Sequence, residues 1–161
     1  MEIVYQAIGI IHSPFKSVDE MPIQPTTEAS AAGSVEVFPR YQEGLKDLDG
    51  FSHLILLYHL HRINKKELVV TPFLDSESRG VFSTRAPVRP NSIGLSVVRL
   101  VKITDNILDI ADLDVLDATP LLDIKPYIPT FDAPTEVRTG WLEDVGRDVK
   151  SMKSDDRFSW K

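Results

Sequence analysis

With 161 residues, 42% of them hydrophobic and 26% charged, the chain has enough apolar material for one compact domain and too little length for two. It contains no cysteine, which excludes disulfides, thiolate nucleophiles and thiolate-rich zinc sites. The formal net charge of −6, taken alone, argues against a dedicated nucleic-acid binder, because phosphate contacts need Lys and Arg.

Short apolar runs broken by Pro, Gly, Asn or Asp predict a mainly β chain. Met1 to Gln6 carries no basic stretch leading into a long apolar run, and no apolar stretch reaches roughly 18 residues, so a cytoplasmic protein with no membrane association is expected. Strands are expected at Val4 to His12, Ser34 to Phe38, Ser52 to Leu60, Leu68 to Thr71, Gly80 to Ser83, Ile93 to Thr104 and Asn106 to Leu113. The turn Thr104-Asp105-Asn106 joins the last two as a hairpin. Between the first two, Ser17 to Gly33 combines Pro22, Pro25 and small residues and reads as an irregular loop. Leu54 to Tyr58 is apolar on both faces, the pattern of a strand that needs a cover. Near the end, Trp141, Val145, Val149 and Met152 recur at helical spacing and predict an amphipathic helix able to supply that cover. The expected architecture is a small single-sheet β-barrel with short helices, since closure removes exposed edges. Residues 1–161 then form one domain, with 1–135 the barrel and 136–161 the C-terminal helix and tail.

The eight glycines include no G-x-G pair, so neither a phosphate-binding loop nor a dinucleotide fingerprint is available, and no G-x-S-x-G elbow is present. His59-Leu60-His61 would place two imidazoles on one strand face, with His53 upstream. Glu67, the nearest downstream carboxylate, has no fixed direction, so satisfied or exposed histidines are the simpler reading and no metal is expected. In Leu121 to Tyr127, an extended chain puts Asp123, Lys125 and Tyr127 on one face, an acid, a cation and a phenol together. Pro126 and Pro129 suggest that this segment lies at a sheet edge or is leaving the sheet. The alternative is a salt-bridged edge with a packed tyrosine.

Charge is unevenly distributed. Arg79 to Thr104 holds five bases (Arg79, Arg85, Arg89, Arg99 and Lys102) and no acid, whereas Asp105 to Asp123 holds six aspartates and no base. A local basic surface is therefore compatible with an acidic protein. Within it, Pro87 and Pro90 stiffen the loop that carries Arg85 and Arg89, which suits guanidinium recognition of phosphate or carboxylate. Arginines paired with neighbouring aspartates are the competing account.

Four motifs in order make the chain resemble a known family: Ile8 to Lys16 (IGIIHSPFK), Gly44 to His53 (GLKDLDGFSH), the arginine-proline run Arg79 to Ser96, and Leu116 to Tyr127 (LDATPLLDIKPY). The family is the single-barrel, S-adenosylmethionine-dependent tRNA adenosine N6-methyltransferases. Ser92 stands where its pattern has a second proline, and Ala118 where it has a glycine, which makes a left-handed backbone at Ala118 unexpected.

The resemblance implies methylation of N6 of threonylcarbamoyladenosine at position 37 of tRNA, with S-adenosylmethionine as donor and a homodimer as the working unit. It implies a donor pocket formed by Gln24, Pro25, Thr26, Thr27, Asn64, Lys65, Arg89, Asp117, Ala118, Thr119, Pro120 and Leu121. Chemistry adds that a carbamoyl-bound nitrogen is a poor nucleophile. Asp123 is therefore a candidate proton acceptor, with Lys125 or Tyr127 donating to the carbonyl oxygen. Arg85, Arg89 and Lys102 are candidates for tRNA phosphates or the threonyl carboxylate. A non-enzymatic RNA-binding barrel and a metal-dependent small-molecule enzyme using His59 and His61 are the rival functions.

Overall fold

The structure is a computed structural model that describes residues 1–17, 31–72 and 75–143. Six antiparallel strands close into a barrel: β1 (Gly9–His12), β2 (Gly33–Val37), β3 (His53–His59), β6 (Ile93–Thr104), β7 (Ile107–Ala111) and β8 (Thr119–Pro126). Around the barrel the order is β1-β2-β7-β6-β3-β8. Two further short strands, β4 (Val69–Val70) and β5 (Arg79–Gly80), pair with each other in the excursion between β3 and β6.

Alternation builds the core. Leu54, Leu56 and Tyr58 of β3 point inward with Val98 of β6, Leu108 and Ile110 of β7, Val35 and Val37 of β2, Ile11 of β1 and Leu121 of β8. Each of the eight aliphatic residues among Ile11, Val35, Leu54, Leu56, Val98, Leu108, Ile110 and Leu121 is at most 1% exposed, so burial contributes roughly 1.5–3 kcal/mol per side chain. The excursion carries a small core of its own, Val70, Val81, Ala86 and Val88 with Ile63 against it.

The strand expected at Ile93 to Thr104 has those bounds, that at Ser34 to Phe38 is shifted by one residue, and the others are shorter. β1 begins only at Gly9, and Val69–Val70 is all that pairs of Leu68 to Thr71. Gly80 to Ser83 is a strand only at Gly80; Val81–Ser83 turns into a 3-10 helix, which sends Val81 into the small core. The β6–β7 hairpin has Asp105 at φ 53, a conformation that a short polar side chain tolerates.

The segment Leu121 to Tyr127, expected at a sheet edge or leaving the sheet, lies up to Pro126 in the closing strand β8, which is paired to β1 on one side and β3 on the other. Pro120 precedes the stretch bonded to β3 and Pro126 is the last residue, so neither interrupts the middle of that ladder. A short α1 (Pro129–Asp132) and a 3-10 turn at Gly140–Glu143 follow. The helix expected from Trp141 to Met152 lies outside the described residues except for Trp141, whose indole N–H donates to the Ser83 carbonyl at 2.8 Å.

Candidate functional site

The segments singled out in the sequence meet at the mouth of the barrel where β3 ends and β8 begins. A cavity of about 100 Å³ lies there. The barrel and the β7–β8 loop contribute Tyr58, Asp114, Val115, Leu116 and Thr119; the excursion contributes Leu60, His61, Arg62, Ile63 and Pro87. Its walls are mostly apolar. A second, wide open depression beside Glu43, Asp47, Asp49 and Asp105 is polar and lies by the β6–β7 hairpin.

One polar relay crosses the cavity floor, and all three of its members went unnoticed in the sequence. Ser96 Oγ donates to Asp114 Oδ1 at 2.5 Å, so the 2.9 Å contact with Tyr58 is one in which the phenol donates to Ser96 Oγ. Burial pushes the Tyr58 phenol up to about 12, with the Asp114 charge adding to the effect. Burial likewise raises the Asp114 carboxyl above the usual aspartate range, against the lowering influence of Ser96, a backbone amide and the Arg85 charge. Gly94 makes room for the relay, because a Cβ there would lie 2.1 Å from the Tyr58 ring.

The loop from Leu113 to Thr119 is held from several directions. Asp117 Oδ1 accepts the Ser13 backbone N–H at 3.0 Å, and Oδ2 pairs with Lys16 Nζ at 2.5 Å. Those bonds hold the Asp117 carboxyl below the usual range, the Lys16 bond contributing most. Asp117 thus clamps the loop after β1 onto the entrance to β8. Ala118 does adopt a left-handed conformation, φ 59, and its side chain is exposed. Thr119 donates to the Leu116 carbonyl at 2.8 Å, so in its 3.3 Å contact with His61 Nδ1 the imidazole is the donor. Pro120 is half-buried and Leu121 is part of the barrel core.

Across the cavity, Asn64 and Lys65 are exposed on the loop beyond Ile63, with Lys65 Nζ paired to Glu67 at 2.6 Å. Arg89 braces the arginine-proline loop: its Nη1 donates to the carbonyls of Thr84 at 2.9 Å, Val81 at 3.2 Å and Ala86 at 3.4 Å, and its guanidinium stands over the Phe82 ring. Arg79 is bonded to Asp75 at 2.7 Å, as the aspartate-pairing account anticipates, whereas Arg85 is exposed and makes no ion pair among the described residues. Gln24, Pro25, Thr26 and Thr27 lie outside the described residues.

The structure brings some expected neighbours together and separates others. Asp123 and Lys125 form an ion pair at 2.7 Å, and Tyr127 stands edge-on to His53. A register shift in the β3–β8 pairing puts Leu121 opposite inward Tyr58 but Asp123 opposite Leu57, whose side chain is on the outer face. Asp123 and Lys125 are therefore on the outside of the barrel, and neither they nor Tyr127 line the cavity. Lys102 is near the far end of β6, roughly 30 Å along the strand from Ile93, where the Arg85–Arg89 loop enters. His59 and His61 do not share a strand face, because β3 ends at His59 and a turn bonds the His61 N–H back to the His59 carbonyl.

Comparison with known proteins matches these features. The family model described as the tRNA-methyltransferase O N-terminal domain matches residues 10–133. A Pyrococcus abyssi protein named "Probable S-adenosyl-L-methionine-binding protein" is 55% identical over 97% of this chain and 85% of its own length. A mouse protein named tRNA (adenine(37)-N6)-methyltransferase is 35% identical over 80% of this chain, which spans 32% of it. The solved structure titled "Crystal structure of TrmO from Pseudomonas aeruginosa" superposes with a TM-score of 0.74 at 38% identity, covering 88% of this chain and 63% of that one. The chain therefore belongs to the tRNA-methyltransferase O N-terminal domain family.

Proposed function

We propose that the protein transfers the methyl group of S-adenosylmethionine to N6 of an adenosine at position 37 of tRNA, and that the acceptor is threonylcarbamoyladenosine. The observation that carries this reading is the cavity at the barrel mouth. It joins the loop before Asn64 and Lys65, the Pro87–Arg89 turn and the Leu116–Leu121 segment, which are far apart in sequence, around one apolar slot with a single carboxylate. An apolar slot with few polar groups suits a donor whose reactive carbon must be held in line with its acceptor, roughly 3 Å away, and kept from water. When bound, the donor supplies a sulfonium-activated methyl group. The chain's task is positioning. By this reading Asn64, Lys65, Arg89 and Asp117 to Leu121 surround the donor together with Gln24 to Thr27, and Asp117 acts by holding the loop after β1.

Asp123 serves as proton acceptor for N6, and Lys125 or Tyr127 donates to the carbamoyl oxygen. They stand on the outer face, away from the cavity assigned to the donor, so these roles rest on the chemistry of the acceptor rather than on the cavity. That same face bears Leu95 and Val97, which are 47% and 37% exposed, opposite Leu57 and Ile55. An apolar sheet surface of this kind supports a homodimer, which would set the Asp123–Lys125 pair against the second protomer. Among the described residues no helix is long and apolar enough to cross a membrane; a tRNA substrate supports a cytoplasmic location.

The test uses purified protein, labelled S-adenosylmethionine and two tRNA pools, one with threonylcarbamoyladenosine and one without, with the methyl group located by mass spectrometry. Transfer confined to the modified pool is the expected result. No transfer, with no donor binding, overturns the reading in favour of an RNA-binding barrel. An Asp123→Asn variant with unchanged turnover would remove Asp123 from the mechanism.

A further inference from the structure

We infer that Asp114 is the counter-charge of the cavity: its carboxylate receives a cationic centre of S-adenosylmethionine, the sulfonium in the first place. The inference rests on the donor reading above and adds a residue outside every segment that the family resemblance points to.

Four observations carry it. Among the described residues Asp114 is the only carboxylate lining the cavity; Leu60, Ile63, Pro87, Val115 and Leu116 form its apolar wall, and Tyr58, His61, Arg62 and Thr119 are its other contributors. Its Oδ1 is fixed by the Ser96 hydroxyl, itself fixed by Tyr58, so the group has one orientation. The Ser96 hydroxyl and a backbone amide are the groups that bond it, no basic side chain does so among the described residues, and burial disfavours its charge. Arg85, whose charge acts on it, is exposed and makes no ion pair among the described residues. A charged group kept in such a place is costly unless a partner charge arrives.

The shape of the lining selects among cations. A primary ammonium brings three N–H donors that each need an acceptor, and this slot offers few beyond Asp114, Tyr58 and Thr119. A sulfonium brings charge and no donor, so one carboxylate in an apolar wall satisfies it. Methyl transfer turns that sulfonium into a neutral thioether. The carboxylate then loses its partner, which favours release of the demethylated product over retention.

Calorimetry on the full chain separates the possibilities with three ligands: S-adenosylmethionine, which has the sulfonium and the ammonium; S-adenosylhomocysteine, which has only the ammonium; and 5′-methylthioadenosine, which has neither. Asp114→Asn is expected to weaken S-adenosylmethionine on the order of ten- to hundredfold while leaving the other two within about twofold. Ser96→Ala keeps the charge but not its orientation, and gives a smaller loss of the same selectivity; it carries the test if Asp114→Asn does not fold. Weakening of both ammonium-bearing ligands with 5′-methylthioadenosine spared keeps the counter-charge and assigns it to the ammonium. Equal weakening of all three ligands, or of none, overturns the inference while the donor reading stands. Wild-type protein that binds none of the three overturns the donor reading itself. A thermal midpoint for Asp114→Asn at or above that of the wild type near neutral pH separates the effect from damage to the fold, because it removes an ionised group that burial disfavours.

Discussion

Replacing Ala118 with glycine should make the protein more stable. Ala118 has φ 59, a conformation that costs an L-residue roughly 1–2 kcal/mol relative to glycine. Its side chain is exposed, so loss of the methyl group removes little buried area. Against this, glycine gives the unfolded chain more freedom, a cost of about 0.5–1 kcal/mol. The net expectation is a gain of about 0.5–1 kcal/mol, or a rise of roughly 1–4 °C in the thermal midpoint for a chain of this size. Thermal unfolding followed by circular dichroism, with urea titration as a second measure, reads it directly. A midpoint that falls would refute the reasoning, since it would mean either that residue 118 is not left-handed in solution or that its methyl group has a packing role.

Gly94→Ala should act in the opposite sense: its Cβ would meet the Tyr58 ring at 2.1 Å, so we expect a loss of about 1–3 kcal/mol in urea unfolding and weaker donor binding as the relay shifts. The pH dependence of stability should contain an Asp117 component. Its folded carboxyl lies below the unfolded value, so the stabilisation is present above the unfolded pKa and is lost as pH falls through the folded one; Asp117→Asn should flatten the acid limb of a plot of midpoint against pH. Charge reversal should separate the basic residues. Arg85→Glu is expected to lower tRNA affinity and reduce its salt dependence, whereas Lys102→Glu, near the far end of β6, should change both little in a filter-binding or fluorescence titration.

Short apolar runs bounded by Pro, Gly, Asn or Asp were enough to locate β3, β6 and β7, because a strand that must be buried is written in consecutive residues whatever it pairs with. The Asp105 hairpin was equally legible, being a short-range feature, and so were the motifs that mark the family. What escaped depends on partners distant in the chain. Nothing local in Thr119 to Pro126 says that it is bonded on both sides; that follows from ring closure, in which β1 and β3 both need a neighbour. The face on which Asp123 stands was set by a register shift in that pairing, and the distance between Lys102 and Arg85 by the length of β6. Arg89, read as a ligand for anions, is bonded to three carbonyls of its own loop, a role visible only once that loop has folded around it. Tyr58, Ser96 and Asp114 lie on β3, on β6 and after β7, and looked in sequence like an apolar run, a strand serine and one aspartate among six. The sequence by itself determined the strands and the family, since both are written in neighbouring residues. Only the closed barrel decided which polar groups share a desolvated floor, because that depends on strand pairings between residues far apart in the chain.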